Sequence, residues 1–547
     1  MSQMSRRNFL KTSFGGALSV SALGQNSWKG NVPPRNVVLI LTDQQPTGTM
    51  GCYGNPLKPT PNLDGLARTG LRFTNSYIGA YPCSPSRASL LTGLYPQGHG
   101  VYTNEVLLEE SVPTLGSILK EAGWDTAYFG KNHLGGATYR DVPGGRENGE
   151  DGQSYYDPFN NGHHYMRRVP DEKDFRFEKV PGGPGEDTPQ HRFTTWAGGW
   201  KDYRAYLREV GLGRLVDEHP LVGNHYDIPS TTEDQHQYSL LPEEHHMEAF
   251  FTKKAIEFLG RRRGARKPFG LVLSYFGPHL PVAPPRPWDD KYALDRISLP
   301  ANHADLLEGK PDELKKNSRC YVLPTWTDTQ FKDYVRRYFG YAAYIDHQIG
   351  RVLKALRDNG LEDNTIVVFT TDHGDMMAAH GCIFKIGTGY EELANVPFLI
   401  RVPGMTKPGS VSDGLINSVD LLPTLIDLLD LAPLKNAHGL SFRKNLVQLA
   451  TSERRRIFSH WGPRSFFTYD GEWKYHLHWK GDLDELYNLK EDPGELKNLA
   501  KDVKYADVAR QKRREIFEWL QETGHPYAKV IENTKRERSP EGGAALL

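Results

Sequence analysis

The stretch NVVLILTDQQ, residues 36–45, is an unbroken apolar run that stops abruptly at an acid and two amides. A strand exposed on one side alternates apolar and polar residues; an uninterrupted run this short reads as a strand covered on both faces. Three other stretches have the same form: WDTAYFGKNH (124–133), FGLVLSYFGPHLP (269–281) and TIVVFTTDHG (365–374). Each hands over to side chains that ionise or bind metals: Asp43 with Gln44, Lys131 with His133, His279, and Asp372 with His373. Helical patterns lie between them, such as TPNLDGLARTG and VPTLGSILKEAG before the second run and residues 331–360 before the fourth. Strands alternating with helices predict an α/β fold built on a large mixed, mostly parallel sheet flanked by helices. Ligands of such sheets bind beyond the carboxyl ends of the strands. Any one of these residues alone would be an ordinary turn, cap or surface group. Four strand ends of the same kind predict one shared crevice.

The 547 residues, 38% of them hydrophobic, suffice for one large catalytic unit with a smaller appendage. Basic and acidic residues balance at 67 each, so no global field draws the chain to nucleic acid or to an anionic membrane. Four cysteines without a CxxC pair exclude a disulfide scaffold and offer no zinc ladder. Near the start, SRRNFLK (5–11) and the short apolar run after it resemble a bacterial twin-arginine export signal. Residues 1–24 are therefore expected to be a signal peptide, and the mature protein to be periplasmic or secreted. The apolar run is too short to span a bilayer and none later reaches the length needed, so no stable membrane insertion is expected.

The segment GAYPCSPSRASLLTG (79–93) carries a cysteine between two prolines. Ser84 is expected to cap a helix, with Pro85 at its first position and Gly93 after its end. Cys83 then sits at the positive end of a helix dipole, a setting for anions, and Arg87 one turn on is expected to reach back to it. A depressed-pKa thiolate nucleophile fits that position, although thiol phosphatases use a longer Cys–Arg spacing than the three intervening residues here. A structural cysteine is the plainer alternative.

The run Cys83-Ser84-Pro85-Ser86-Arg87, continuing Ala-Ser-Leu-Leu-Thr-Gly, resembles the signature of the type I sulfatases of the alkaline phosphatase superfamily. The resemblance implies that Cys83 is converted by a maturation enzyme to Cα-formylglycine, whose hydrate is the nucleophile. It implies one divalent metal held by Asp43, Gln44, Asp372, His373 and the residue at 83. It places Arg87, Lys131, His133, His279 and Lys385 in catalytic positions, His279 as proton donor to the leaving alcohol and His133 on the hydrate's second hydroxyl. The segments INSVDLLPTLIDLL and DELYNLKEDPGELKNLA resemble the family's carboxyl-terminal markers.

Many sulfatases carry Asp-Asp and Asp-Asn where this chain has Asp43-Gln44 and Asp372-His373. Oxygen donors favour calcium, and the imidazole leaves magnesium or manganese open. The same pairs occur in phosphonate monoester and phosphodiester hydrolases, which share the cysteine signature and form the main alternative. The Lys131-x-His133 pair and Lys385 favour sulfate. An inactive sulfatase-like binding protein would be expected to lack some of these residues, and none is missing.

Residues 135–250 hold few periodic elements and many aromatic, His and Arg residues. Such long irregular segments often form substrate walls; His163, His164, Arg192 and Trp196 are candidates for contacting a sulfated carbohydrate, with plain surface loop as the alternative for each. Short strand-like runs after residue 440 and a helix at 504–522 predict a small antiparallel-sheet subdomain. The expected division is 31–440 for the catalytic domain and 441–547 for the carboxyl-terminal α+β subdomain.

Overall fold

The computed structural model describes residues 35–134 except 105, 107 and 110, then 195–197, 200–214, 239, 241–315, 326–449, 453–462, 465–479 and 483–537. The four apolar runs form β1 (Asn36–Asp43), β5 (Asp125–Gly130), β7 (Phe269–Pro278) and β8 (Thr365–Thr371). With β2 (Leu71–Phe73), β6 (Thr195–Ala197), β9 (Phe398–Arg401) and β10 (Ser410–Ser412) they build an eight-stranded sheet ordered β10-β2-β9-β8-β1-β7-β5-β6. The four runs are central neighbours and all run parallel, whereas β9 is antiparallel to both β8 and β2. Their carboxyl ends therefore open on the same edge.

Both faces are covered, which explains the unbroken apolar sequence. Val38 and Ile40 of β1 pack towards α1 (Pro61–Thr69), α4 (Trp200–Glu209), α5 (Met247–Gly260) and the 31-residue α6 (Asp328–Asp358). Val37, Leu39 and Leu41 pack towards α2 (Cys83–Thr92), α3 (Leu115–Glu121) and α7 (Leu421–Leu428). Each such buried side chain contributes about 1.5–3 kcal/mol. The long helix α6 starts at a Thr327–Gln330 capping box. Its buried Asp346 accepts the backbone N–H groups of Asn62 and Leu63 at 3.0 and 2.8 Å, capping α1 from a distance in sequence.

A second sheet contains β12 (Ile457–Trp461), β13 (Ser465–Tyr469), β14 (Trp473–His478) and β15 (Glu485–Asn488), antiparallel as expected. Its fifth strand, β4 (Ala80–Tyr81), comes from the segment just before Cys83 and pairs in parallel with β12. β3 (Ser76–Tyr77) and β11 (Ile416–Asn417) form a two-stranded pair beside it. Helix α8 (Ala506–Glu522) packs on β13 and β14, and a last helix, α9 (Ala528–Glu537), packs on α8. Among the described residues no helix is long and apolar enough to cross a membrane.

Three buried histidines lie where β12, the end of α8 and the segment after α2 meet. His460 Nε2 is 3.4 Å from His525 Nε2, and both rings flank Tyr102. His99 shares a hydrogen bond with Ser89 at 3.0 Å. Burial pushes His525 from 6.5 down to about 4, and burial together with His438 pushes His99 down to about 3. The folded state keeps them neutral while the unfolded chain takes up protons below about 6.5, so these groups withdraw stability as pH falls. His525→Phe is expected to remove about 2 kcal/mol of the loss that the wild type suffers between pH 7 and pH 5. Urea unfolding of both proteins at the two pH values checks this.

Candidate active site

The site assembles where the four central strands end. Asp43 is the last residue of β1, Lys131 follows β5, His279 follows β7, and Asp372 and His373 follow β8. Gly130, immediately before Lys131, adopts a φ of +102°, and a side chain there would strike the Ser274 carbonyl. That close approach lets the chain turn Lys131 into the crevice.

Residue 83 is brought to these strand ends by α2, whose ten residues are all buried. The helix begins at Cys83, earlier than the sequence predicts, and Ser84 is not its cap. The Ser86 N–H bonds to the Pro82 carbonyl at 3.0 Å, closing the first turn there, and the Asn104 side chain takes the Ser84 N–H at 3.0 Å. A tertiary partner thus supplies the acceptor that a capping serine would have provided. Pro85 still falls in the first turn, where its missing N–H costs nothing. Gly93 ends the helix with φ +70°, as expected.

Arg87 does not reach back to the cysteine. Its guanidinium lies flat between the strand ends, with Nε on Asp372 Oδ2 at 2.8 Å and Nη2 on Asp43 Oδ2 at 3.1 Å. Nη1 donates to the Ser274 hydroxyl at 2.7 Å and to the Lys131 carbonyl at 2.9 Å. The cation that touches Cys83 is Lys385, with Nζ 3.0 Å from Sγ. Lys131 Nζ pairs with Asp43 Oδ2 at 2.5 Å. Burial disfavours the Asp43 charge, but Lys131, His279 and Arg87 outweigh it and hold its carboxyl below the usual carboxylate range.

The Cys83 thiol is also buried, which would raise it, yet Lys385, Lys131 and His373 bring it well below its ordinary value. His373 Nε2 lies 3.2 Å from Sγ, while its Nδ1 faces the Gly374 carbonyl at 2.9 Å. A proton on Nδ1 leaves Nε2 free to act as a ligand. His133 lies within hydrogen-bonding reach of the sulfur, and burial keeps it neutral by lowering its pKa. His279 Nδ1 faces the Leu280 carbonyl at 2.7 Å, and its Nε2 meets Lys385 Nζ at 3.0 Å. Burial and the Lys385 charge push His279 down to about 4. His133, His279, Lys385 and Tyr81 are partly exposed, whereas Asp43, Gln44, Asp372 and His373 are sealed. The former group marks the mouth of the site and the latter its floor.

One ligand atom each from Asp43, Cys83, Asp372 and His373 fall within 4.8 Å of one another. Among the described residues, Asp43 Oδ1 and Gln44 Oε1 are buried without a hydrogen-bond partner. Two orphaned acceptors beside a carboxylate, a sulfur and an imidazole are the donor set of a hard to borderline divalent cation. The residues fit such an ion.

The family model described as Sulfatase matches residues 35–431, and the one described as N-sulphoglucosamine sulphohydrolase, C-terminal, matches residues 380–522. The chain belongs to the sulfatase family. It is a sulfuric ester hydrolase by that membership, and the family implies a divalent cation and a formylglycine. This sulfatase is 30% identical to the uncharacterized sulfatase YidJ of Escherichia coli (strain K12), over 90% of its own length and 88% of that protein. It is 27% identical to an N-acetylglucosamine-6-O-sulfatase of Bacteroides thetaiotaomicron, over 93% and 90% of the two chains. Its fold is shared with the phosphonate monoester hydrolase of Agrobacterium radiobacter, at a TM-score of 0.68 and 23% identity, covering 90% and 96% of the chains.

The four substrate candidates fare differently. His163, His164 and Arg192 lie outside the described residues. Trp196 is placed on the edge strand β6, in register with Tyr128 of β5. Cys382 is buried and its Sγ donates to the His380 carbonyl at 3.2 Å. Residues that the sequence reading missed are Ser274, Tyr338 and Asp375. Ser274 holds Arg87, Tyr338 donates its hydroxyl to the Gln44 carbonyl, and Asp375 takes the Gln44 side chain. The only sequence signal for any of them is the second acid of Asp372-His373-Gly374-Asp375.

Proposed function

We propose that this sulfatase removes sulfate from an extracellular sulfated carbohydrate, after export by the twin-arginine route, with residue 83 matured from cysteine to formylglycine. The observation that carries the site assignment is the pair of orphaned acceptors, Asp43 Oδ1 and Gln44 Oε1, next to a residue 83 ringed by cations. Asp43, Gln44, Asp372, His373 and residue 83 hold the divalent ion, calcium by its oxygen-rich donor set, with magnesium and manganese as the other candidates. When bound, the cation offsets sulfate charge and the formylglycine hydrate provides the nucleophilic oxygen. The carbohydrate assignment rests on export and on relatives such as the N-acetylglucosamine-6-O-sulfatase.

The chain's own groups divide the remaining work. Arg87 fixes the two carboxylates against each other, and Lys131 and Lys385 offset negative charge at residue 83 and on the ester. With His279 titrating at about 4, its Nε2 has no proton of its own at neutral pH and accepts a hydrogen bond from Lys385 Nζ. The leaving alcohol's proton is therefore held by the Lys385–His279 pair. His133, neutral and within reach of residue 83, is placed to accept a proton from it. The catalytic part spans residues 31–440, and the carboxyl-terminal subdomain borrows β4 from the segment preceding Cys83.

A second reading, phosphonate monoester or phosphodiester hydrolysis, is favoured by the Asp43-Gln44 and Asp372-His373 pairs. Mature protein assayed on aryl sulfate and aryl phosphonate esters separates the two. The expected preference for sulfate in kcat/KM is at least about tenfold, or 1.4 kcal/mol of transition-state discrimination. A reversed preference supports the phosphonate reading. A panel of sulfated mono- and oligosaccharides tests the substrate class, and turnover confined to aryl or choline sulfate contradicts it.

A further inference from the structure

Asp375 is fully buried and its carboxylate makes four hydrogen bonds. Oδ2 accepts the Gln44 side-chain NH2 at 2.5 Å and the Tyr334 hydroxyl of α6 at 3.0 Å. Oδ1 accepts the backbone N–H groups of Met377 at 2.8 Å and Phe384 at 3.3 Å. A carboxylate offers only acceptors, so the end of the Gln44 amide that meets it must be the nitrogen. The carbonyl oxygen is then the end left over, and Gln44 Oε1 is buried with no hydrogen-bond donor among the described residues. Without such a neighbour an amide can present either end, and an NH2 group turned towards a cation repels it. Phe384 immediately precedes Lys385, so the other oxygen of Asp375 ties down the chain that carries the lysine touching Cys83.

We propose that Asp375 is a positioning residue for the metal centre: it selects the orientation of the Gln44 amide that presents oxygen to the cation, and anchors the Lys385 segment with the same carboxylate. This rests on the reading of Asp43, Gln44, Asp372 and His373 as the metal-holding set. Because the inference concerns cation affinity, it is tested without turnover.

In Asp375→Asn, the two backbone N–H donors retain the remaining oxygen. The new NH2 then faces the Gln44 NH2, and two donors meet. Gln44 must turn its oxygen away from the cation to relieve this. Partners of metal ligands of this kind are worth about 10- to 100-fold in affinity. Calorimetric titration of the full-length protein, carrying unconverted Cys83, with calcium and with manganese identifies the cation that the wild type binds more tightly. For that cation, Asp375→Asn is expected to weaken binding at least about tenfold. The double variant Gln44→Glu/Asp375→Asn pairs a donor with a carboxylate again and leaves an oxygen for the cation, so it is expected to regain the affinity. A merely structural Asp375 would lower the unfolding temperature of the metal-free protein and leave affinity within threefold of the wild type. That result overturns the inference, as does failure of the double variant to regain binding. If the single variant does not fold, the double variant alone carries the test, with the same criterion. Asp43→Ala is the control for the underlying reading. A wild type whose binding is unaffected by Asp43→Ala sinks both, whereas binding lost in Asp43→Ala but kept in Asp375→Asn sinks the inference alone.

Discussion

Cys83→Ala is expected to lower sulfate ester turnover by at least about 10⁴-fold relative to the matured wild type while leaving the fold in place. The first half follows from where the side chain sits. Sγ is 3.0 Å from Lys385 and 3.2 Å from His373, and it belongs to the four-residue group that can hold a cation. An alanine methyl can neither attack a sulfur centre nor ligate a metal. The second half follows from how α2 starts. Its first turn is closed by the Pro82 carbonyl and by Asn104, neither of which uses the Cys83 side chain. Steady-state kinetics and far-ultraviolet circular dichroism on the purified variant check both halves. Retained turnover would mean that residue 83 is not the nucleophile.

Arg87→Ala is expected to be destabilising as well as inactivating, by about 3–5 kcal/mol. The arginine is 1% exposed and bridges Asp43 and Asp372, so its removal leaves two buried carboxylates without their shared counter-charge. Ser274 Oγ loses the Arg87 donor in the same step, while the Lys131 carbonyl keeps the Tyr128 hydroxyl. Denaturant unfolding in the presence of a chelator measures the loss, because a bound cation would mask part of it by neutralising the same carboxylates. Arg87→Lys keeps the charge but lacks the planar fork, and is expected to recover only part of the stability. A change below about 1 kcal/mol in Arg87→Ala would show that the carboxylates are neutralised in some other way.

Much of this site was legible because the fold writes it in an obvious form. A sheet covered on both faces requires unbroken apolar strands, and the polar residues that interrupt them mark the strand ends. Asp43, Lys131, His279 and Asp372 could therefore be assigned to one crevice before any coordinates. The partners of Arg87 were not legible. Its spacing from Cys83 suggested a local contact, while the decisive neighbours arrive from β1, β7 and β8, remote in sequence. Ser84 was misread as a cap for the same reason, since Asn104 lies beyond the helix and no local pattern announces it. Strand β4 has only two residues, too few for any periodicity, yet it joins the carboxyl-terminal sheet to the nucleophile segment. Asp375 stood in plain view after Gly374, but an acid close to a metal-holding pair does not reveal that it grips an amide at the end of the neighbouring strand.

The most direct test of the account is the mass of the peptide carrying residue 83, measured on protein coexpressed with a formylglycine-generating enzyme and shown to be active. Conversion of the thiol to the aldehyde removes about 18 Da from that peptide, and the loss should rise in proportion to specific activity across preparations matured to different extents. Full activity in a preparation whose residue-83 peptide is entirely alkylated by iodoacetamide as a cysteine thiol would contradict the account.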